Sequence, residues 1–216
     1  MDVNWIIEGL ITYLGLLVLL TFHELAHGWV AWKCGDHTAK SLGRLSLNPL
    51  VHIDPIGTVL LPLFMIFGPS GLTRFAIGWA KPVPFNSANL RNRWRDEMLI
   101  AMAGPAINIV LAVALVAFAR VALIFQSAET VGLFLQMAQL SLLLCFFNLI
   151  PIPPLDGSHV LRNFAGMSYE TYWHLCRFGF IAIILVLQIP FVREVLGVVT
   201  YGTLAGLMFC FGFPAQ

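Results

Sequence analysis

The chain has 216 residues, of which 59% are hydrophobic and 11% are charged. Soluble domains carry about 25% charged residues, so this composition excludes a soluble globular protein and indicates one embedded in a membrane. The formal net charge of +1 gives no basis for binding nucleic acid through bulk electrostatic attraction. We therefore expect an all-α polytopic membrane protein whose surroundings are the lipid bilayer.

Five apolar stretches approach the length of about 20 residues that a helix needs to cross a bilayer. We predict core helices over about residues 5–32, 98–125 and 131–150, and C-terminal helices over about residues 176–189 and 195–213. A sixth apolar run, residues 57–67, is short and contains a proline, which is typical of a re-entrant or interfacial segment. The sequence predicts a single membrane-embedded domain over residues 1–216 with five or six transmembrane helices.

Residues 35–92, between the first and second core helices, are rich in Gly, Pro, Asn and Ser. Their motifs GRLSLNPLVHIDPIG and GWAKPVPFN favour short strands and turns, so we expect a small re-entrant or β-hairpin region here. We expect residues 57–67 not to cross the membrane. In that case the end of the first core helix and the segment NLIPIPPLDG, which ends the third, emerge on the same side of the membrane, whereas a crossing would place them on opposite sides.

The basic residues predict which side that is. The short connection over residues 126–130 has none, whereas the long segment between the first two core helices is rich in them. By the positive-inside rule this segment is cytosolic, so we expect a multi-pass protein of the cell membrane whose site opens to the cytosol. The basic residues are Lys33, Lys40, Arg44, Arg74, Lys81, Arg91, Arg93 and Arg95.

The motif His23-Glu24-Leu25-Ala26-His27 lies inside the first apolar stretch. Ionisable residues are costly within a membrane span and indicate a functional site. Residues four apart share a face of a helix, so both imidazoles can bind one metal ion. Glu24, directly after the first histidine, has the position of the general base in the HExxH motif of zinc hydrolases.

A catalytic zinc ion usually has three protein ligands, so the two histidines need a third. Asp156 is favoured, because it closes the proline-rich segment NLIPIPPLDG, where broken helix can present a lone carboxylate to a metal. Gly157 permits a tight turn or a close backbone approach, and Asn148 can donate its amide to a developing oxyanion. The candidates considered are Asp36, His37, His52, Asp54, Asp96, Glu97, Asp156 and His159.

Other carboxylates and histidines among these candidates have simpler interpretations. Asp96 and Glu97 adjoin arginines, which indicates a solvated, charge-paired face. His52 and Asp54 are interpreted as turn and hairpin residues, with substrate contact as the alternative.

The motifs HELAH, AGPAIN and NLIPIPPLDG, in this order, resemble those of the site-2 protease family of intramembrane zinc metalloproteases. The resemblance covers nearly the whole chain and is greatest to the minimal prokaryotic type, which lacks PDZ and CBS domains. It implies one Zn²⁺ per chain bound by His23, His27 and Asp156, with Glu24 as general base and Asn148 stabilising the tetrahedral intermediate. It also implies supporting roles near the site for Gly104, Pro105 and Asn108.

The resemblance implies a zinc metalloendopeptidase that hydrolyses peptide bonds within transmembrane segments of membrane protein substrates, as in regulated intramembrane proteolysis. The alternative is a non-proteolytic membrane zinc-binding protein or a metal transporter. A transporter needs several intramembrane carboxylates or histidines along a path, and the predicted spans contain few others. Pure metal binding also has no need of Glu24. The sequence does not specify an oligomeric state.

Overall fold

A computed structural model describes residues 3–67 and 79–214 of the chain. Within these ranges the regular secondary structure is entirely helical, which confirms the all-α class. Five of the described helices are long and apolar enough to cross a membrane, as expected. The chain divides into two compact units, Met1–Arg93 and Trp94–Gln216. The single domain over residues 1–216 stays a prediction.

The first unit is built on one long helix, α1 (Val3–Lys33), which has 31 residues. At about 1.5 Å per residue it rises about 46 Å, more than the hydrocarbon core of about 30 Å. Short helical elements follow, and three of them, Thr38–Ser41, Pro49–His52 and Leu61–Phe67, contact α1. The short elements are α2 (Thr38–Ser41), a 3₁₀ turn (Pro49–His52), a π-helical turn (Pro55–Leu60), α3 (Leu61–Phe67) and a second 3₁₀ turn (Ser87–Asn89).

The expected β-hairpin is wrong for the described part of residues 35–92, which has no strand. Two Asx-Pro pairs start helical turns instead. The Asn48 side chain accepts the N–H of Leu50, and the Asp54 side chain accepts the N–H groups of Ile56 and Gly57. In each pair the next residue, a proline, takes the first helical position, where its missing N–H costs nothing.

The sixth apolar run forms the π-helical turn and α3, of 6 and 7 residues. Residues 68–78, which follow α3, lie outside the described residues. That this run does not cross the membrane stays a prediction.

The second unit contains α4 (Arg93–Ile124), α5 (Ala128–Asn148), α6 (Asp156–Phe164), α7 (Tyr169–Gln188) and α8 (Pro190–Cys210). Its core is formed where small residues of α4 meet α5 and α8. The core side chains are Ala112, Val116, Ala119, Ala138, Leu142, Leu204 and Phe213.

The last two helices begin earlier than the hydropathy predicted. α7 starts after Ser168, whose hydroxyl accepts the N–H of Thr171, so its polar first turns belong to the helix. α8 starts at Pro190, which occupies the first helical position. A side-chain cap at Ser168 and a proline at the first position of α8, neither of which hydropathy detects, therefore mark the two starts.

Candidate functional site

His23 and His27 lie one turn apart on α1 and are 4% and 9% exposed. Their Nε2 atoms are 3.1 Å apart, and their rings meet edge to face with centroids 4.7 Å apart. Two nitrogens bound to one tetrahedral zinc ion at about 2.0–2.1 Å lie about 3.3 Å apart. The two imidazoles therefore fit a shared zinc ion without a change of helix geometry.

Glu24 is buried beside this pair, with 8% of its surface exposed. Its Oε2 accepts a hydrogen bond from the backbone N–H of Val83 at 2.8 Å. A buried carboxylate needs such a donor, because an unpaired charge away from water is costly. The partner lies 59 residues along the chain, in the motif GWAKPVPFN.

Gly28 allows this approach. A Cβ atom at Gly28 would lie 2.8 Å from Leu45 Cδ2 and 3.1 Å from Val83 Cγ1, closer than side chains normally pack. The residue after the second histidine therefore has to be small for Val83 to reach α1. Gly28 was not among the predicted site residues, because a glycine beside HELAH was its only signal in the sequence.

Residues 79–86, which we call the strap, are fixed at their N-terminal end by hydrogen bonds to the π-helical turn. Trp79 donates its N–H to Gly57 O at 3.1 Å and accepts the Thr58 hydroxyl at 2.8 Å. A Cβ at Gly57 would collide with the Trp79 ring, so glycine is required there.

Lys81 of the strap is held through both of its backbone groups. Its N–H donates to His52 O at 2.8 Å, and its carbonyl accepts from Arg44 Nη2 at 2.5 Å. His52 is 2% exposed, and its Nε2 lies 2.9 Å from Ser46 O. His52 therefore supports the strap and Asp54 caps a helical turn, which agrees with turn residues but not with a hairpin.

Asp36 fixes the other end of the strap. Its Oδ2 accepts the N–H of Asn86 at 2.8 Å, and its Oδ1 accepts from Asn89 Nδ2 at 2.8 Å. Thr38 donates its N–H and its hydroxyl to Oδ1 as well. Burial alone raises the pKa of Asp36, but the hydrogen bonds from Thr38, Asn89 and Asn86 outweigh it and lower the pKa below 3.8.

The second unit contains the remaining predicted site residues. Asn148 is the last residue of α5, and its Nδ2 donates to Leu144 O at 2.8 Å. That bond uses one of the two N–H groups of the amide. Asn148 thus binds a carbonyl of its own helix, and its amide retains a second donor.

Asp156 is the first residue of α6 and follows the proline-rich segment directly. A Cβ at Gly157 would collide with the carbonyls of Leu149 and Ile150, and a Cβ at Gly179 would collide with the carbonyl of Pro153. Two glycines therefore let the proline-rich segment pack closely between α6 and α7. The expected close backbone approach at Gly157 is confirmed.

Gly104, Pro105 and Asn108 lie together on the buried part of α4. The carbonyl of Asn108 accepts the hydroxyl of Ser141 on α5 at 2.7 Å, with both residues fully buried. Pro105 lacks the N–H that a helix interior normally uses. Asn108 therefore joins α4 to α5, and the role of all three residues at a catalytic site stays a prediction.

The expected solvated face at Asp96 and Glu97 is wrong, because these residues are 6% and 2% exposed. Glu97 forms an ion pair with Arg162 of α6, which is 3% exposed, and it accepts the Tyr169 hydroxyl of α7. The guanidinium carbon of Arg162 lies 4.1 Å from the centre of the Tyr169 ring. Arg162 was not predicted from the sequence, because its partner is distant in the chain.

Comparison with known proteins gives the family. The model of peptidase family M50 matches residues 11–127 and 122–187. A Bacillus subtilis protein with the provisional name zinc metalloprotease YwhC is 39% identical over 155 residues, 68% of this chain and 66% of that protein. A Mycolicibacterium smegmatis protein provisionally named zinc metalloprotease Rip2 is 32% identical over 188 residues, 82% of this chain and 66% of that protein.

A Mycobacterium tuberculosis protein with the provisional name Rip2 is 36% identical over 156 residues, which cover 68% of this chain and 54% of that protein. The matches thus span slightly less than two thirds of the first two relatives and about half of the third. No solved structure matches the chain significantly. The resemblance to site-2 proteases is confirmed, and the chain belongs to peptidase family M50.

Proposed function

We propose that the chain is a zinc endopeptidase that cuts transmembrane segments of other membrane proteins. The observation that carries the proposal is the burial of His23, Glu24 and His27 together on α1, a helix long and apolar enough to cross a membrane. Family membership and the names of the relatives support zinc-dependent proteolysis. Cleavage inside the bilayer follows from the position of the motif within the apolar helix.

The proposed ligands of the single zinc ion are His23, His27 and Asp156. The 3.1 Å separation of the two imidazole nitrogens supports the first two. Asp156 is proposed as the third because zinc accepts a carboxylate oxygen beside two histidines and because α6 begins at this residue, directly after the broken segment. Replacing Asp156 by alanine is expected to lower the bound zinc well below one ion per chain.

In the proposed mechanism, Glu24 accepts a proton from the attacking water on one carboxylate oxygen and later delivers it to the departing amine. Zinc, when bound, supplies a Lewis acid that polarises the scissile carbonyl and lowers the pKa of the attacking water. The Asn148 amide donates a hydrogen bond to the oxygen of the tetrahedral intermediate. The substrate helix must unwind first, because a helix hydrogen-bonds its own carbonyls.

The proposed location is the cell membrane, with the site open to the cytosol. Lys33 lies over the rings of Trp29 and Trp32 at the end of α1, and Lys40 lies over Trp32 at 4.4 Å. Tryptophan and lysine collect at membrane interfaces, which supports an interface at this end of the helix. The basic residues of the following segment support the cytosolic side.

Cysteine labelling tests this orientation with residues 87 and 126, which lie outside the five long helices. In a chain whose four native free cysteines are replaced by serine, we expect Ser87→Cys to react with a membrane-impermeant maleimide only in inverted vesicles and Gln126→Cys only in intact cells. The reverse pattern at Ser87 would place the site on the outer face.

The Glu24→Gln variant tests the proposed activity in purified protein reconstituted with a tagged single-span substrate. We expect this variant to retain one zinc ion per chain and to lose cleavage, because it keeps the imidazoles but cannot accept a proton. Zinc transport by the parent without detectable cleavage would instead support the non-proteolytic alternative.

A further inference from the structure

The hydrogen bond between Val83 and Glu24 has a feature that the proposed mechanism does not yet use. It is accepted by Oε2, at 2.8 Å, and leaves Oε1 available to take up a proton. A carboxylate on a flexible side chain would otherwise sample several rotamers, and only some of these would face the attacking water.

Val83 has the only backbone N–H in the tripeptide Pro82-Val83-Pro84. Pro82 and Pro84 flank it, and proline has no backbone N–H. Each proline also favours extended backbone in the residue before it, so both Lys81 and Val83 are pushed toward extended conformations. The prolines therefore stiffen the strap around the donor that reaches Glu24.

Buried charged groups hold the strap on either side of that donor. Arg44, 8% exposed, binds the Lys81 carbonyl, and Asp36, fully buried, binds the Asn86 N–H. The side chain of Val83 packs against Gly28, one residue after the second histidine. A segment attached at both ends and packed at its middle fixes the direction of its central N–H group.

We propose that the backbone N–H of Val83, held by this strap, is a positioning group that sets the orientation of the catalytic base Glu24. The proposal rests on the proposed function, since it assigns the strap a role in that reaction. The donor acts through Glu24 and touches no substrate. Loss of the N–H should therefore slow turnover and leave both substrate affinity and zinc content intact.

The experiment compares Val83→Pro, which removes the N–H, with Val83→Ala, which keeps it and shortens the side chain. Cleavage of the single-span substrate in proteoliposomes gives kcat and KM, and mass spectrometry gives zinc per chain. Removing a hydrogen bond to a charged group predicts that kcat of Val83→Pro falls about 10- to 100-fold below that of Val83→Ala. KM and zinc content should agree between the two variants within about twofold.

Equal kcat values for the two variants would overturn the proposal, and so would a rise in KM that accounts for the whole loss. If Val83→Pro does not fold, the α-hydroxy acid analogue of valine at position 83 replaces the N–H with an ester oxygen. Parental kcat in that protein would overturn the proposal too. The proposed function is tested separately, by cleavage with the parent and none with Glu24→Gln. An inactive parent would refute both the proposed function and the role of the Val83 N–H.

Discussion

Replacing Arg162 by methionine is expected to destabilise the second unit strongly. Methionine keeps much of the aliphatic volume but removes the charge that neutralises Glu97, which is only 2% exposed. Breaking a buried ion pair by removing one partner costs about 3–5 kcal/mol, because the remaining charge stays buried and uncompensated. The variant also loses hydrogen bonds to Asn163 and Tyr169 at 3.0 and 3.3 Å, which places the expected loss toward the upper end of this range.

The double variant with Glu97→Gln separates the ion pair from general damage. Removing both charges should cost less than Arg162→Met alone, since no uncompensated carboxylate remains. Reversible unfolding in detergent measures the free energy of unfolding of the parent, both single variants and the double variant. A loss of about 1 kcal/mol or less in Arg162→Met, the size typical of an exposed pair, would refute the reasoning, as would strict additivity of the single changes.

Three further outcomes follow from the geometry. Gly157→Ala should lower both stability and zinc content, because its Cβ meets the carbonyls of Leu149 and Ile150. Gly132→Ala, whose Cβ meets nothing within 4 Å, is the matched control. Equal stability and equal zinc content in the two variants would contradict the close approach at Gly157. Asn148→Ala should keep zinc and lower turnover about 10²–10³-fold, as for other oxyanion donors. A variant that cleaves at the parental rate would reduce Asn148 to a structural role. Asp36→Asn should lower the melting temperature relative to the parent at neutral pH. Because the folded pKa of Asp36 is lowered, this difference should hold at pH values above 3.8 and shrink as the pH falls further through the folded pKa; a difference that grows on acidification would refute it.

The long apolar helices were predictable because a bilayer demands about 20 consecutive apolar residues, a signal that hydropathy reads directly. The pairing of His23 with His27 was predictable for a similar reason, since helical periodicity alone places both on one face. Both predictions depend only on residues close together in the sequence. The starts of α7 and α8 depend on the cap residue Ser168 and on Pro190 at the first helical position, which hydropathy does not detect.

The features that the sequence analysis missed depend on partners far apart in the chain. The sequence indicated pairing of Glu97 with adjacent arginines and gave no sign of Arg162, a partner that lies 65 residues away. The donor to Glu24, likewise, is a backbone group of Val83, which no side-chain pattern indicates. The pairs Asn48-Pro49 and Asp54-Pro55 favoured turns in the sequence, because Asn, Asp and Pro are common both at the starts of helices and in turns. Tertiary packing determines which of these partners and conformations is adopted.

Mapping the bond that the reconstituted protein cuts in a single-span substrate tests the central claim most directly. Mass spectrometry of the products from the parent and from zinc-loaded Glu24→Gln would identify the new termini. The account predicts new termini inside the hydrophobic segment of the substrate with the parent, and an intact substrate with the variant. A cut confined to a loop outside the bilayer, or the same products from Glu24→Gln, would contradict it.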